Sequence, residues 1–158
     1  MYIDYLKNKM EHLVTINRWL YNQWGYHDPD GSEKKWFNDR KEKLKNRKLL
    51  PIIFIAIEDE TPVGTASIIK SDMKTHPELE PWLANVYVKE DKRGNGFGTE
   101  LVKRVLKESK LNNFKKLYLF TPDKKKFYQK IGWKLYKHEE YRNEMVDIMQ
   151  YSLQGADI

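Results

Sequence analysis

The sequence predicts a single α/β domain in which helices flank a mixed, mostly antiparallel β-sheet. The length of 158 residues suits one hydrophobic core better than two. Apolar residues at helical spacing alternate along the chain with short runs of β-branched and aromatic residues. No linker or internal repeat interrupts this alternation. We therefore expect one domain that covers residues 1–158.

The composition excludes several kinds of chemistry. The chain has no cysteine, which rules out disulfides, thiolate metal ligands and a cysteine nucleophile. No amino-terminal segment resembles a signal peptide, and the longest apolar run, Pro51–Ile57, is too short to cross a membrane. These features favour a cytoplasmic protein with no metal site and no membrane partner.

The net charge of +6 would permit nucleic-acid binding, and residues 40–48 are locally basic. In that stretch the cations alternate with Glu42, Leu44 and Asn46 on a predicted helix. Such alternation is typical of a solvated helix face. We therefore expect no specific nucleic-acid partner.

The amino-terminal part of the chain predicts an edge strand and two helices. Tyr2–Leu6 is a short apolar and aromatic segment that suits an edge strand. A first helix ends at Gly25 and is predicted by helical spacing of Leu13, Ile16, Leu20 and Trp24. After a turn over Asp28–Gly31, Ser32 can cap a second helix that ends near Asn46.

Two strands follow and form an antiparallel hairpin. Ile52–Ile57 is continuously apolar, as expected for a strand covered on both faces. Glu58–Pro62 turns the chain, and Val63–Ile69 forms the second strand. The polar segment Ser71–Glu80 predicts a loop.

The middle of the chain reads as a strand, a glycine-rich turn and an amphipathic helix. Asn85–Val88 is short, β-branched and aromatic, which predicts a strand. The helix is predicted by the spacing of Phe97, Leu101, Val102, Val105 and Leu106. The apolar residues therefore follow a strand pattern before the glycines and a helical spacing after them.

The glycine-rich turn predicts an anion site. Gly94, Gly96 and Gly98 carry no side chains that would hold a ligand away from the backbone, and their amides lie where the helix begins. Lys92 and Arg93 add two cations, and an arginine can bind phosphate oxygens in a bidentate fork. We therefore expect a phosphate group to bind here.

Three ligand classes use glycine-rich turns between a strand and a helix, and spacing separates them. A P-loop requires a lysine after its last glycine, and none follows here. A dinucleotide site requires Gly-x-Gly-x-x-Gly or Ala, but the third position is Thr99, and no acidic residue ends the next strand, Leu117–Phe120. The spacing therefore argues against a P-loop and against a dinucleotide site.

The carboxyl-terminal part predicts three strands and a short helix. The predicted strands are Lys116–Phe120, Trp133–His138 and Met145–Leu153. The predicted helix is Lys124–Ile131.

Two motifs in this order resemble those of the GNAT superfamily of N-acetyltransferases, which bind acetyl-coenzyme A. Arg93–Gly98, read as Arg-x-x-Gly-x-Gly, resembles the pyrophosphate-binding motif. Phe127–Trp133, read as Phe-Tyr-x-x-x-Gly-aromatic, resembles the second signature and follows one strand later. The chain is most similar to a small bacterial-type subgroup, without an indicated acceptor. The resemblance implies a GNAT-like fold.

The resemblance also implies two sets of cofactor contacts. The main chain of Val86, Tyr87 and Val88 would pair with the pantetheine arm. The pyrophosphate would be held by Arg93 and by the amides of Gly94, Asn95, Gly96, Phe97, Gly98 and Thr99.

Three further positions receive roles from the resemblance. Thr121 occupies the place where many members have an asparagine that contacts the cofactor. Phe127 would pack beside the cofactor. Tyr128 would face the thioester sulfur and protonate the departing thiolate, while an amide near Val86 or Val88 would stabilise the oxyanion.

The function expected from the resemblance is transfer of the acetyl group of acetyl-coenzyme A directly to a primary amine of a small molecule or peptide. The protein would be a monomer or a homodimer. No carboxylate lies in the segment 82–85, so the general base stays open among Glu78, Glu80, His76, His27 and Asp28. The missing base leaves an alternative, a non-catalytic module that binds or senses coenzyme A. Four aromatic residues could line an acceptor pocket or instead belong to the core: Trp24, Tyr26, Trp82 and Tyr141.

Overall fold

The computed structural model describes all residues, 1–158, as helices packed on both faces of one seven-stranded sheet. The strands are β1 Tyr2–Tyr5, β2 Ile52–Glu58, β3 Thr61–Ile69, β4 Trp82–Val88, β5 Lys116–Thr121, β6 Lys134–Tyr141 and β7 Glu144–Ser152. The α-helices are α1 Leu13–Trp24, α2 Glu33–Lys45, α3 Phe97–Leu111 and α4 Lys125–Ile131. The predicted fold class is confirmed.

The strand order is β1-β2-β3-β4-β5-β7-β6, and every neighbouring pair is antiparallel except β4 and β5. The helix α3 connects β4 to β5, as a parallel pair requires. The sheet is therefore mixed and mostly antiparallel, with its one parallel junction in the middle.

The core is divided between the two sheet faces by β2, whose side chains alternate. Phe54 points into a cluster with residues of α3 and α4, whereas Ile53 and Ile55 pack against α1. Both faces of β2 are buried, which explains its continuously apolar sequence. A third cluster lies under the loop between β3 and β4 and contains Met73, Leu79, Trp82, Tyr141, Val146 and Ile148.

Several element boundaries differ from those predicted. The strand β4 starts at Trp82, three residues earlier than predicted, because Trp82 and its successor Leu83 are buried although they are not β-branched. The strand β6 begins after the buried Trp133 and continues to Tyr141. Its charged residues are tolerated because β6 is an edge strand with exposed side chains.

The two amino-terminal helices begin and end as their local chemistry indicates. The Ser32 hydroxyl accepts a hydrogen bond of 3.1 Å from the Lys35 amide and caps α2. Gly25 follows α1 with right-handed helical angles, and a Cβ there would lie 2.9 Å from the Tyr21 ring. Close packing against Tyr21 therefore explains this glycine. None of the helices is long and apolar enough to span a bilayer.

The basic stretch 40–48 is only partly a solvated helix face. The helix α2 ends at Lys45, and Lys43 and Lys45 are exposed. Arg40 instead reaches the α1–α2 interface, where it donates a 2.6 Å hydrogen bond to the buried Asn17 side chain.

Candidate active site

The parallel junction between β4 and β5 opens a gap in the middle of the sheet. The two strands share a single residue pair, Trp82 with Tyr118, and the Tyr118 amide donates a 3.1 Å hydrogen bond to Pro81. Beyond Trp82, β4 stays paired with β3 as far as Val88 but has no partner on the β5 side. The main chain on that side is therefore free to pair with an extended ligand.

A β-bulge in β4 lies beside this gap. Ala84 is opposite Ser67 and Tyr87 is opposite Thr65, so two residues of β4 occupy the space of one on β3. One of them, Asn85, has a φ of +57°, a left-handed conformation that asparagine adopts more readily than most residues. Bulges redirect a strand and its side chains. The sequence analysis missed this feature, and an asparagine inside a strand was its signal.

The glycine turn presents an open main chain at the start of α3. Gly94 and Gly96 have φ values of +81° and +80°, and a Cβ on either would have nothing within 4 Å. No side chain caps the first amides of α3. Uncapped amides at the start of a helix bind anions. The geometry of the turn therefore suits the phosphate group predicted from the sequence.

The third glycine of the turn, Gly98, lies in a packing contact and not in open space. A Cβ on Gly98 would lie 3.5 Å from Phe127 Cζ and 3.7 Å from Val88 Cγ2. These distances are ordinary van der Waals contacts, so α3 lies beside α4 and the end of β4 at Gly98, but the packing does not require a glycine there. Through this contact the glycine turn, β4 and Phe127 meet at one place.

The two cations of the turn are engaged by the protein itself. Arg93 Nε donates a 2.8 Å hydrogen bond to the Val88 carbonyl, and its guanidinium lies 5.4 Å from the centre of the Tyr87 ring. Lys92 Nζ lies 2.7 Å from a carboxylate oxygen of Glu58, and this hydrogen bond raises the pKa of Lys92. Lys92 is therefore neutralised by Glu58, whereas Arg93 lies along β4 beside the predicted pantetheine path.

Tyr128 lies on α4, the helix that follows β5. Its ring is buried and packs edge-on against Phe127 and Trp133, with ring centroids 4.9 Å and 6.0 Å apart. The hydroxyl makes no hydrogen bond with the protein. Burial, with a smaller effect of the nearby Asp123 carboxylate, raises the pKa of the Tyr128 phenol above its ordinary value. The phenol therefore keeps its proton at neutral pH and has no protein acceptor for it.

Thr121 ends β5 and fixes the loop that leads into α4. Its buried hydroxyl oxygen accepts hydrogen bonds from the amides of Lys124, at 3.0 Å, and Asp123, at 3.4 Å. This arrangement holds the start of α4, and with it Phe127 and Tyr128, against the sheet.

Most of the candidate bases are engaged or distant. The Asp28 carboxylate accepts a 2.8 Å hydrogen bond from the Trp36 indole. His27 stacks on Tyr26, with ring centroids 4.0 Å apart. Glu80 precedes β4, at the end of this strand opposite the glycine turn. None of the three is a free carboxylate or imidazole at the gap.

The two remaining candidates, His76 and Glu78, contact each other, and His76 lies between two carboxylates. Its Nδ1 is 3.1 Å from Glu78, and its Nε2 forms a very short contact with Glu139 on β6. Burial lowers the pKa of His76, but hydrogen bonds to Glu139 and Glu78 outweigh it, and the pKa is raised. Both ring nitrogens are therefore engaged by carboxylates, and the raised pKa widens the pH range in which the imidazole already carries its second proton. His76 thus has no free nitrogen to accept a proton from an amine.

Of the four aromatic residues considered for an acceptor pocket, two belong to the core. Trp82 and Tyr141 are buried in the cluster under the β3–β4 loop. Trp24 is half-buried against the α1 core, and Tyr26 is exposed. Tyr26 is therefore the only one of the four whose ring is exposed to a ligand in solution.

The structure holds no group of three or more histidine, aspartate or glutamate side chains placed to bind a metal ion.

Comparisons with known proteins agree with this geometry. Residues 13–133 match the family model described as the Acetyltransferase (GNAT) family. No curated protein matches the sequence.

Solved structures are similar over most or nearly all of the chain. A crystal structure of aminoglycoside 6'-N-acetyltransferase complexed with coenzyme A is 17% identical, covers 97% of each chain and has a TM-score of 0.77. An N-acetyltransferase from Staphylococcus aureus Mu50 is 17% identical, covers 96% of this chain and 98% of its own, and has a TM-score of 0.72. A GNAT family acetyltransferase from Elizabethkingia anophelis with acetyl-CoA bound is 16% identical, covers 73% of this chain and 82% of its own, and has a TM-score of 0.54.

Proposed function

Because the chain belongs to the GNAT family of acetyltransferases, we propose that it transfers the acetyl group of acetyl-coenzyme A directly to a primary amine of a small molecule or peptide. The observation that carries this proposal is the unpaired side of β4 next to an open, uncapped glycine turn. A ligand with an extended arm and a pyrophosphate fits both features at once.

The cofactor contacts follow from these two features. The pantetheine arm pairs with the main chain of Val86–Val88, and the pyrophosphate lies on the amides of residues 94–99. Arg93 keeps its Nε on the Val88 carbonyl, which leaves the two Nη groups for a phosphate oxygen. Phe127 closes the side of the turn through Gly98.

The reaction needs a neutral amine, a polarised carbonyl and a proton for the leaving sulfur. The amine nitrogen attacks the thioester carbon, the carbon–nitrogen bond forms, and the carbon–sulfur bond breaks. A main-chain amide of β4 near Val86 or Val88 donates to the carbonyl oxygen as negative charge develops. The amine loses one proton, and the coenzyme A thiolate gains one.

Tyr128 supplies the proton to sulfur in this proposal. Its hydroxyl is protonated at rest, makes no hydrogen bond with the protein, and belongs to the helix that packs on the glycine turn. The raised pKa keeps the phenol from losing its proton before charge develops on sulfur. The proton released by the amine can then return the tyrosine to its resting state through solvent.

A second function is favoured by one observation, the engagement of the candidate bases. His76 and Asp28 are already bound to protein groups, and Glu80 lies at the far end of β4. A chain without a base could bind or sense coenzyme A without catalysis. An amine that is already neutral at the working pH would need no base, so the enzyme remains the better-supported function.

The candidate acceptor amines for a test can be ranked by the substrates named for structurally similar proteins. One of them is named for acetylation of aminoglycosides, which carry several amines. We therefore place multi-amine small molecules first, then simple primary amines, then peptides with a free amino terminus or lysine.

The test measures free thiol released from acetyl-coenzyme A with and without each amine. Amine-dependent release with formation of the acetylated amine supports transfer. Acetyl-coenzyme A binding that raises the melting temperature, with no amine-dependent release across the panel and across pH, supports the binding module instead. Absence of any thermal shift at millimolar cofactor would contradict both functions.

A further inference from the structure

A basic cavity lies at the end of the sheet away from the glycine turn. Its volume is about 720 Å³, within the roughly 300–1,000 Å³ typical of small-molecule sites. It is lined by segments 48–50 before β2, 80–81 before β4 and 113–116 at the start of β5, together with Lys70, Tyr118 and Gln154. The 15-residue helix α3 separates these segments from the glycine turn by about 22 Å, at about 1.5 Å per residue. The cavity is therefore distinct from the proposed cofactor site.

The charge of the cavity is unbalanced. Four lysines line it, Lys48, Lys70, Lys115 and Lys116, against one carboxylate, that of Glu80. None of these lysines lies within 4.0 Å of a carboxylate, and none donates a side-chain hydrogen bond to the protein. Elsewhere, Lys92 and Arg104 are paired with glutamates at 2.7 Å. Part of the net charge of +6 is thus concentrated, uncompensated, around one concave surface.

The cavity also has apolar walls, beside the polar Asn113 and Gln154, and main-chain hydrogen bonds hold them in place. Leu50, Phe114 and Tyr118 are half-buried, and Pro81 is buried. The Tyr118 amide donates to Pro81, and the Leu153 amide donates a 2.9 Å hydrogen bond to Lys115. Lysines on an ordinary solvated face do not surround such a preformed apolar surface. The combination is typical of a ligand site with a few converging charges on apolar walls.

We propose that this cavity binds a small molecule that carries two or more phosphate groups. Four compact ammonium charges need an anion with several negative charges, and lysine is a common ligand of phosphate. The apolar part of the molecule would lie against Phe114 and Tyr118. The concave shape favours a small ligand over a nucleic-acid helix, whose phosphates spread along an extended surface.

The test is calorimetric titration of the protein that holds one equivalent of coenzyme A, enough to fill the proposed cofactor site. No excess is used, because coenzyme A carries several phosphates and could itself enter the cavity. The probes are ATP, inorganic tripolyphosphate and adenosine. We expect one site per chain for ATP and for tripolyphosphate, weakened by added salt, and none for adenosine. Binding of neither phosphate compound, or binding of adenosine as tight as that of ATP, would overturn the proposal.

A matched pair of double variants locates the site. Lys70→Gln with Lys116→Gln should weaken ATP binding about tenfold or more, because hydrogen bonds to charged groups are lost. Lys34→Gln with Lys43→Gln removes the same charge from exposed positions of α2 and should leave binding unchanged. Equal losses in both double variants would show that binding follows net charge alone, and the proposal would be wrong. Melting temperatures of both variants check that each is folded.

Discussion

The two proposed anion sites lie beyond opposite ends of α3 and are built in opposite ways. At its amino end, open main-chain amides face solvent, while the nearby cations Lys92 and Arg93 are already bound to Glu58 and Val88. Beyond its carboxyl end, the cavity offers four lysines with no carboxylate partner. The formal charge of a segment therefore does not locate an anion site. At the amino end the proposed anion would be held mainly by main-chain amides, and at the far cavity by lysines that the fold leaves unpaired.

The first prediction tests whether the amino end is a reaction centre and not merely a binding surface. Tyr128→Phe removes a hydroxyl that makes no protein hydrogen bond, so packing and cofactor affinity should change little. Turnover should fall by roughly 10²- to 10⁴-fold, as expected for loss of a positioned acid. Thiol release under conditions where chemistry limits the rate measures this. Unchanged turnover would show that water or another group protonates the thiolate.

The second prediction tests the main-chain character of the turn. Gly96→Val should abolish the stabilisation by acetyl-coenzyme A, which is about 2.7 kcal/mol at a hundredfold excess over the Kd. It should also destabilise the free protein, because valine is strained at a φ of +80°. Thermal melts with and without cofactor measure both effects.

Gly155 provides the matched control for this substitution. It also has a positive φ, +68°, with open space where a Cβ would lie, but it belongs to the carboxyl-terminal tail. Gly155→Val should therefore carry a similar backbone strain and keep the full cofactor shift. If both variants lose the shift, the turn has no special role in binding.

The third prediction separates the two cations of the turn. Arg93→Gln should weaken coenzyme A binding about tenfold, because a charged hydrogen bond to phosphate is lost. Lys92→Gln should have a smaller effect, since Lys92 is already neutralised by Glu58. Titration of coenzyme A into each variant gives the two affinities. A larger loss in the Lys92 variant would mean that its pair with Glu58 opens when the ligand binds.

The fourth and smallest effect concerns His76, a cation paired with two carboxylates outside both regions. Its pKa is raised in the folded protein, so its charged form stabilises the fold below about pH 6.5, the ordinary pKa of histidine. This contribution is lost as the pH rises through the folded-state value. His76→Gln should therefore lower the melting temperature at pH 6 more than at pH 9. An equal loss at both pH values would assign His76 a packing role.

The order of helices and strands could be predicted because local signals agree with the tertiary structure. The capping Ser32 and the alternation of apolar and polar runs are local signals. The start of β4 at Trp82 was not predictable in this way, since Trp82 is buried against Tyr141, Val146 and Ile148, which lie far along the chain. Tertiary packing likewise decides where β6 ends.

The site could be predicted in its backbone part and not in its side-chain pairing. Two glycines with positive φ leave a recognisable spacing, so the open turn follows from Gly94 and Gly96. The pairing of Lys92 with Glu58 joins residues 34 positions apart, and no local pattern encodes it. The four lysines of the far cavity come from three separate segments of the chain, so no local pattern encodes their convergence either. The residue roles assigned by resemblance stay predictions.

The single pair between β4 and β5 has a consequence for deuterium labelling. On its β3 side, β4 has partnered amides that exchange only when the sheet opens, whereas amides facing the gap have no strand to protect them. Neighbouring residues of one strand should therefore take up deuterium at very different rates. A ligand that pairs with the exposed side would slow the fast set alone, so labelling of Val86–Val88 would report occupancy of the gap without any turnover.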